Sequence, residues 1–472
     1  MNSPKTLVDK IWGSHIIMDL GQNTYLLHID RNVQHELAGA TALNGIDAAG
    51  RKIRNPELFF GVMDHVLDTH PGRSDGTPIP GGTNFIQQFR QRTRAHSLRL
   101  FDIDDPRQGI SHVIAPELGI ALPGCTYVCG DSHTCTIGGI GAFALGIGST
   151  DVEHVFATQT LIQAKAKNMR VILNGKLGDE VYPKDVVLYL IADIGAGGGI
   201  GHAVEFAGPV INRLPIDGRL TICNMAVEFS ARTGIVAPDD ITLEYFRSRL
   251  FAPKGEMWEK ATEYWRTLHS DPGAHFDKEV VINCDDIKPQ VTWGTSPEHS
   301  VAVDDRVPDP VNAPDSLTRQ TMERAVSYMG VRPGTPMEQV KIDAVFIGSC
   351  TNARLSDLRE AARILKGRRL APGIWAVCSP GSSETKRRAE AEGIDRIFRE
   401  AGFEWRESGC SMCMSGGAGG EGFSRGQHVL STTNRNFEDR QGRGVRSHLA
   451  SPVTVAASAI TGHITDPRKI GE

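Results

Sequence analysis

No run in this 472-residue chain approaches the ~18 consecutive apolar residues that cross a bilayer. The N-terminal stretch MNSPKTLVDKIWGSHIIMDLG has no apolar core of the signal-peptide kind. Both absences make a soluble, cytoplasmic protein the expectation. A long basic stretch is missing as well. The 51 Lys+Arg against 56 Asp+Glu leave a formal charge of −5, which argues against a nucleic-acid binder. The chain has no P-loop, no H-E-x-x-H, no internal repeat and no low-complexity tail. Cysteine is scarce and odd in number, with 9 in all. Without a secretory segment, that argues against a disulfide framework and for reduced thiols or metal ligands.

What is present is ordinary for a globular protein: 40% apolar and 23% charged residues. The length fits about three domains. The pattern predicts an α/β protein with domains at 1–168, 169–300 and 301–472. Near the end of the first, Thr150 and Glu153 have capping-box spacing, and Val152, Val155, Phe156 and Ile162 suggest the apolar face of one helix. Val171-Ile172-Leu173 reads as a strand and Asn174-Gly175 as a turn, while the proline-rich stretch 286–316 reads as a linker. Farther on, Val345-Phe346-Ile347 and Ile374 to Val377 read as buried strands. Leu355, Leu358, Ala362 and Leu365 mark a helix between them, and a charged helix is expected over 383–400. Strand–helix alternation of this kind implies parallel strands.

Four clusters carry candidate chemistry. Cys350, in Gly348-Ser349-Cys350-Thr351-Asn352, falls between a predicted strand and a helix, where open α/β sheets place their ligands and a helix N-terminus favours a thiolate. A buried packing cysteine is the plainer reading. Cys410-Ser411-Met412-Cys413 is a lone C-x-x-C: half a zinc site, a redox pair, or two ligands of an iron–sulfur cluster. With Cys350 it makes three thiols, enough to hold a cubane and leave one iron open as a Lewis acid. Asp64-His65, His112 and Asp131-Ser132-His133 pair carboxylates with imidazoles, which suits general acid work. Glycines at 130 and over 138–148 suggest close backbone approach nearby. Asn434-Arg435-Asn436-Phe437 with Arg440, Arg443 and Arg446 is either a carboxylate clamp or a solvated charge run. Asn224 and Glu228 would share a face if their segment is helical. Literal G-x-G-x-x-G (417–422) and G-x-S-x-G (72–76, 422–426) matches lack the strand and helix context those motifs need.

Taken together, Val62 to His65, Cys129 to Thr134, Leu220 to Glu228, Val291 to Thr295, Phe346 to Asn352, Gly409 to Cys413 and Ser431 to Gly442 resemble the aconitase superfamily, in its branch of two-subunit bacterial dehydratases. The resemblance implies three α/β domains around one [4Fe-4S] cluster, without the family's swivelling fourth domain. It implies cluster ligands Cys350, Cys410 and Cys413, with one iron not ligated by protein. Asp64 and His65 match the pair that protonates the departing hydroxyl. Asp131 and His133 match a second pair, and His112 a further active-site histidine. Asn224, Glu228 and Asn434 match residues lining the cluster, Ser132 lies within the substrate site, and Arg435 and Arg440 match substrate-carboxylate arginines. Cys125, Cys135, Cys223, Cys284 and Cys378 match no ligand.

The implied activity is a hydro-lyase isomerising a 2-hydroxy dicarboxylate by dehydration and rehydration. 2-Isopropylmalate, in leucine biosynthesis, is the leading substrate; citramalate and homocitrate are alternatives. The base that removes the carbon-bound proton would come from a small partner subunit carrying the missing domain. A non-catalytic iron–sulfur protein and a zinc module are the competing classes, and the Asp/His pairs and arginines weigh against both. Three departures bear on the substrate. Gly39-Ala40-Thr41 stand where such subunits usually have Ser-Pro-Gln. The 414–422 loop is unusually rich in glycine. Asp439 replaces a small residue, and is expected either to pair with a neighbouring arginine or to repel a substrate carboxylate.

Overall fold

A computed structural model describes residues 3–471. The chain divides into two compact units. The first comprises Met1–His65, Thr83–Lys176 and Gly197–Asn283; the second comprises Val66–Gly82, Leu177–Ala196 and Cys284–Glu472.

The first unit is built on two parallel sheets. One has the strand order Arg99–Phe101, Phe59–Val62, Arg31–His35, Thr126–Cys129, Phe143–Gly146. Its central strands are buried on both faces, so Phe59, Val62, Val33, Tyr127 and Val128 form a continuous apolar layer. The other runs Thr233–Val236, His202–Ala207, Lys167–Asn174, Lys278–Asn283, also parallel. A small antiparallel sheet joins Ile16–Gly21, Thr24–His28 and Thr160–Ala164.

The second unit has one five-stranded parallel sheet, ordered Glu404–Trp405, Trp375–Cys378, Ala344–Ile347, His428–Ser431, Arg446–Leu449. The helix Leu355–Leu365 buries Leu358, Ala361, Ala362 and Leu365. These pack with Val345 and Ile347 from the sheet, Phe398, and Val453, Ala456 and Ala457 of the helix Pro452–Thr461. The strands and helix expected over 344–378 are present.

Several local expectations change. The helix near 150 spans Ser149–Thr158 with Gly148 at its N-cap and no side-chain cap, so Thr150 lies inside the first turn. Gln159 then turns left-handed and ends it, and Ile162 belongs to the next strand. The charged helix breaks at Gly393 into Ser383–Ala391 and Ile394–Ala401, because Gly393 adopts a positive φ. The presumed linker contains an antiparallel pair, Gln290–Thr292 with Ser300–Ala302, and buries Val291 and Trp293 in the core. Prolines at its margins marked irregular chain correctly, but the apolar pair between them decides the packing. The helix carrying Asn224 ends there, at Ile216–Asn224, and Glu228 sits in the following 3-10 turn Met225–Phe229. The two residues therefore do not share the face of one helix. Among the described residues, no helix is long and apolar enough to cross a membrane.

Candidate active site

In the first unit three adjacent parallel strands deliver polar residues from their carboxyl ends, where α/β sheets gather ligand sites. Arg31–His35 ends in His35 and leads into Glu36; Phe59–Val62 leads to Asp64 and His65; Thr126–Cys129 leads to Asp131 and His133. Glycine permits this convergence. A Cβ on Gly138 would overlap the carbonyl oxygen of Gly234, and one on Gly146 would press on the carbonyl of Asp131. The close backbone approach expected over 138–148 is present.

Asp131 is the hub. Its Oδ1 accepts from His112 Nε2 at 3.0 Å and from the His133 backbone N–H at 2.6 Å; its Oδ2 faces His65 Nε2 at 3.0 Å. Burial alone would raise this carboxyl. The donors from His112, His133 and His65 outweigh burial and hold it well below the usual carboxylate range. Asp64, fully buried, accepts from His65 Nδ1 at 2.5 Å and from the Ser111 backbone at 2.7 Å. Burial pushes it up, the His65 charge and hydrogen bond pull it down, and the net direction is downward. With an ionised carboxylate facing each ring nitrogen, His65 is placed to donate from both, the arrangement that an imidazolium satisfies. His133 Nε2 meets Glu228 Oε1 at 2.7 Å, and Asn224 Nδ2 donates to Thr136 Oγ1 at 2.7 Å. Ser132 is exposed, its hydroxyl 3.4 Å from His133 Nδ1.

Two members of this array went unnoticed in the sequence. Glu36, 0% exposed, accepts the backbone N–H of Asp64 at 3.1 Å and of His65 at 2.8 Å, one on each oxygen. His35 stacks on the His65 ring, with centroids 3.8 Å apart, and its ring faces the Gly130 backbone. Burial first, and then the His65 charge, pull it down to about 4, so it is neutral. The signal for both was their place at a strand's carboxyl end. The ligand atoms of His35, Glu36, Asp64 and His65 lie within 4.8 Å of one another. The carboxylates are occupied by backbone N–H groups and His65, which leaves a cation little to bind.

In the second unit the same rule holds. Cys350 follows the strand Ala344–Ile347, Asn434 and Arg435 follow His428–Ser431, and Cys410 and Cys413 follow Glu404–Trp405. Cys350 lies four residues before the N-cap Arg354, in a loop that Ser349 turns with φ 78°. Its sulfur accepts from Asn434 Nδ2 at 3.4 Å, and the Cys413 sulfur from Arg440 Nη2 at 3.5 Å. Around the C-x-x-C loop, Thr69 Oγ1 meets Ser411 Oγ at 2.9 Å and Arg73 donates to the Ser408 carbonyl at 2.6 Å. Arg435 is partly buried in the same loop as Asn434. The glycine-rich 414–422 loop lies backbone-to-backbone on the Arg440 segment. A Cβ on Gly416 would collide with the Gln441 carbonyl, and one on Gly417 with that of Arg440. Asp439 has a local structural role besides either sequence expectation. It adopts a left-handed φ of 66°, and its carboxylate accepts from Gly444 N at 2.7 Å and Tyr328 OH at 3.2 Å, capping its own loop. Thr41 lies exposed on the helix Glu36–Ala48, its hydroxyl donating to Leu37 O.

The family model described as aconitase family (aconitate hydratase) matches residues 9–462. The chain belongs to the aconitase family. It is 53% identical over 464 residues, 98% of this chain and 96% of the other, to a protein of Bradyrhizobium diazoefficiens named 3-isopropylmalate dehydratase large subunit 1. A solved structure, holo aconitase X of Thermococcus kodakaraensis, matches with a TM-score of 0.44 and 11% identity over 88% of each chain.

Aconitase-family proteins carry a [4Fe-4S] cluster, and the donor set here fits one. Cys350, Cys410 and Cys413 are 7–8% exposed, and an amide and a guanidinium donate to two of the sulfurs, as thiolate ligands require. By contrast, burial pushes Cys125 up to about 12 and Cys284 to about 11, and drives Cys223 and Cys378 higher still. Raised pKa values favour the protonated thiol at these buried positions.

Proposed function

We propose that this chain is the large subunit of a 3-isopropylmalate dehydratase, which interconverts 2- and 3-isopropylmalate by removing and re-adding water. The observation that carries it is His65 held between two ionised carboxylates, in a chain sharing 53% identity over 98% of its length with such a subunit. A cluster held by Cys350, Cys410 and Cys413, with one iron lacking a protein ligand, would supply a Lewis acid for the substrate hydroxyl.

The chain's own residues do the rest. His65 hands its Nε2 proton to the departing hydroxyl, the C–O bond breaks, and water leaves. Asp64 keeps the Nδ1 proton and fixes the ring. Asp131 releases Nε2 to the substrate while it remains tied to His112 and His133. Neutral His35 packs against the imidazolium without adding a second charge to a buried site. In the hydration direction Nε2 of the resulting neutral imidazole takes the proton back from water. Glu228 orients His133 through Nε2, and Asn224 and Asn434 set the polar lining. Arg435 and Arg440, with Ser132, bind the substrate carboxylates. The carbon-bound proton leaves to a base on a small partner subunit; its electron pair forms the double bond.

The test is anaerobic co-purification with the small subunit and measurement of alkene absorbance with 2-isopropylmalate, citramalate and homocitrate in parallel. Preferential turnover of 2-isopropylmalate is expected. Preference for another diacid from a fully loaded complex would replace the substrate and keep the chemistry.

A further inference from the structure

Lys184 is a charge with no use in the chemistry above. It is fully buried, in the first turn of the helix Pro183–Ile194. That is the wrong helix end for a cation, because the unpaired N–H groups there repel it. Among the described residues, no carboxylate lies within ion-pairing distance. Its ammonium instead donates to two backbone carbonyls, Thr432 at 2.5 Å and Thr433. The adjacent Asp185 carboxylate is turned to other donors, accepting from Tyr182 N and Gln290 N at 2.8 Å each. Asp357 is spent on Asn352 Nδ2 and Arg354 N, both at 3.0 Å. An isolated buried ammonium is costly, and burial outweighs the surrounding negative charges and pulls Lys184 down to about 7. The opposing field comes from Asp357, Cys413, Asp185 and Cys350, so two of the proposed ligands are among the four.

The carbonyls that Lys184 grips belong to the Asn434 loop, which is tied to the Cys350 loop. Thr432 Oγ1 donates to Gly348 O and Asn352 O, on either side of Cys350. Thr433 precedes Asn434, whose amide donates to the Cys350 sulfur.

We propose that Lys184 is the buried counter-charge of the iron–sulfur cluster, a positioning residue that braces the Cys350 and Asn434 loops and offsets the cluster's net negative charge. The proposal rests on the cluster reading given above. A cubane core of charge two-plus with three thiolates is net negative, and an added electron makes it more so. A nearby cation therefore stabilises the reduced form more than the oxidised form and raises the midpoint potential.

The experiment reconstitutes the full chain anaerobically with ferrous iron and sulfide. Iron and acid-labile sulfide are measured, and the cluster is titrated with dithionite while the reduced form is followed by EPR. Lys184→Gln keeps a donor and removes the charge; its midpoint should fall below that of the unmodified chain. Lys184→Arg keeps the charge and should restore it. A Gln variant with full iron content and an unmoved midpoint would overturn the proposal while leaving the cluster reading intact. If the Gln variant takes up no cluster, the Arg variant decides: uptake at the parent midpoint supports the counter-charge, and loss of uptake in both overturns it. An unmodified chain that takes up no iron and sulfide would overturn the cluster reading and the proposal together.

Discussion

Replacing Asp131 with asparagine exchanges one oxygen for an NH2 group and leaves the shape unchanged. In the native array Oδ1 meets two donors, His112 Nε2 and the His133 backbone, and Oδ2 meets one, His65 Nε2. The amide oxygen will settle where two donors meet it, so the NH2 faces His65. Nε2 must then accept, and His65 becomes neutral, its remaining proton on Nδ1 against Asp64. The group that should protonate the hydroxyl arrives without the proton. Loss of a general acid costs about 10²–10⁴ in rate, or about 3–5 kcal/mol of barrier. The change should appear in kcat with KM nearly constant, because the proton is transferred only in the transition state. The assay is alkene formation by the anaerobic two-subunit complex, normalised to iron content, since no cysteine loop is touched. An Asp131→Asn complex with full iron and the parent kcat would refute the reasoning and remove Asp131 from control of His65.

Other perturbations have equally definite outcomes. Cys413→Ser should lose the cluster, seen as low iron and acid-labile sulfide in the purified chain together with lost turnover. Glu36→Ala strands two buried backbone N–H groups at about 1–3 kcal/mol each, so the urea midpoint should fall by an amount equivalent to at least about 2 kcal/mol. Asp64 and Asp131 have folded pKa values below their unfolded ones. Their stabilisation is complete above the unfolded value of about 4 and is lost as pH falls through the folded values. Urea midpoints measured down that acid limb should drop steeply for the parent and less steeply for Asp131→Asn. Gly138→Ala should yield little folded protein by circular dichroism, because its Cβ has no space beside the Gly234 carbonyl.

Strong periodic signals were legible without a structure. Leu355, Leu358, Ala362 and Leu365 lie three or four apart, and that spacing alone buries one helix face. Local reading failed where one residue ends an element. Gln159 in a left-handed turn cut a helix short before Ile162, and Gly393 divided another. At Asp439 chemistry suggested an electrostatic role, and local reading did not show that the residue also turns left-handed and caps its own loop.

The sequence by itself determined the inventory: an α/β chain of the aconitase family, Asp/His pairs at 64–65 and 131–133, and three thiols set apart by the C-x-x-C and the strand-end cysteine. These are properties of composition and spacing, which survive without coordinates. Tertiary structure alone decided how the groups act on one another. Asp131 collects donors from His112, His133 and His65; Glu36 holds the backbone of Asp64 and His65; buried Lys184 donates to the Thr432 and Thr433 carbonyls. Proton position and charge state depend on burial and on distances of about 3 Å between residues far apart in the chain, and no one-dimensional pattern carries those.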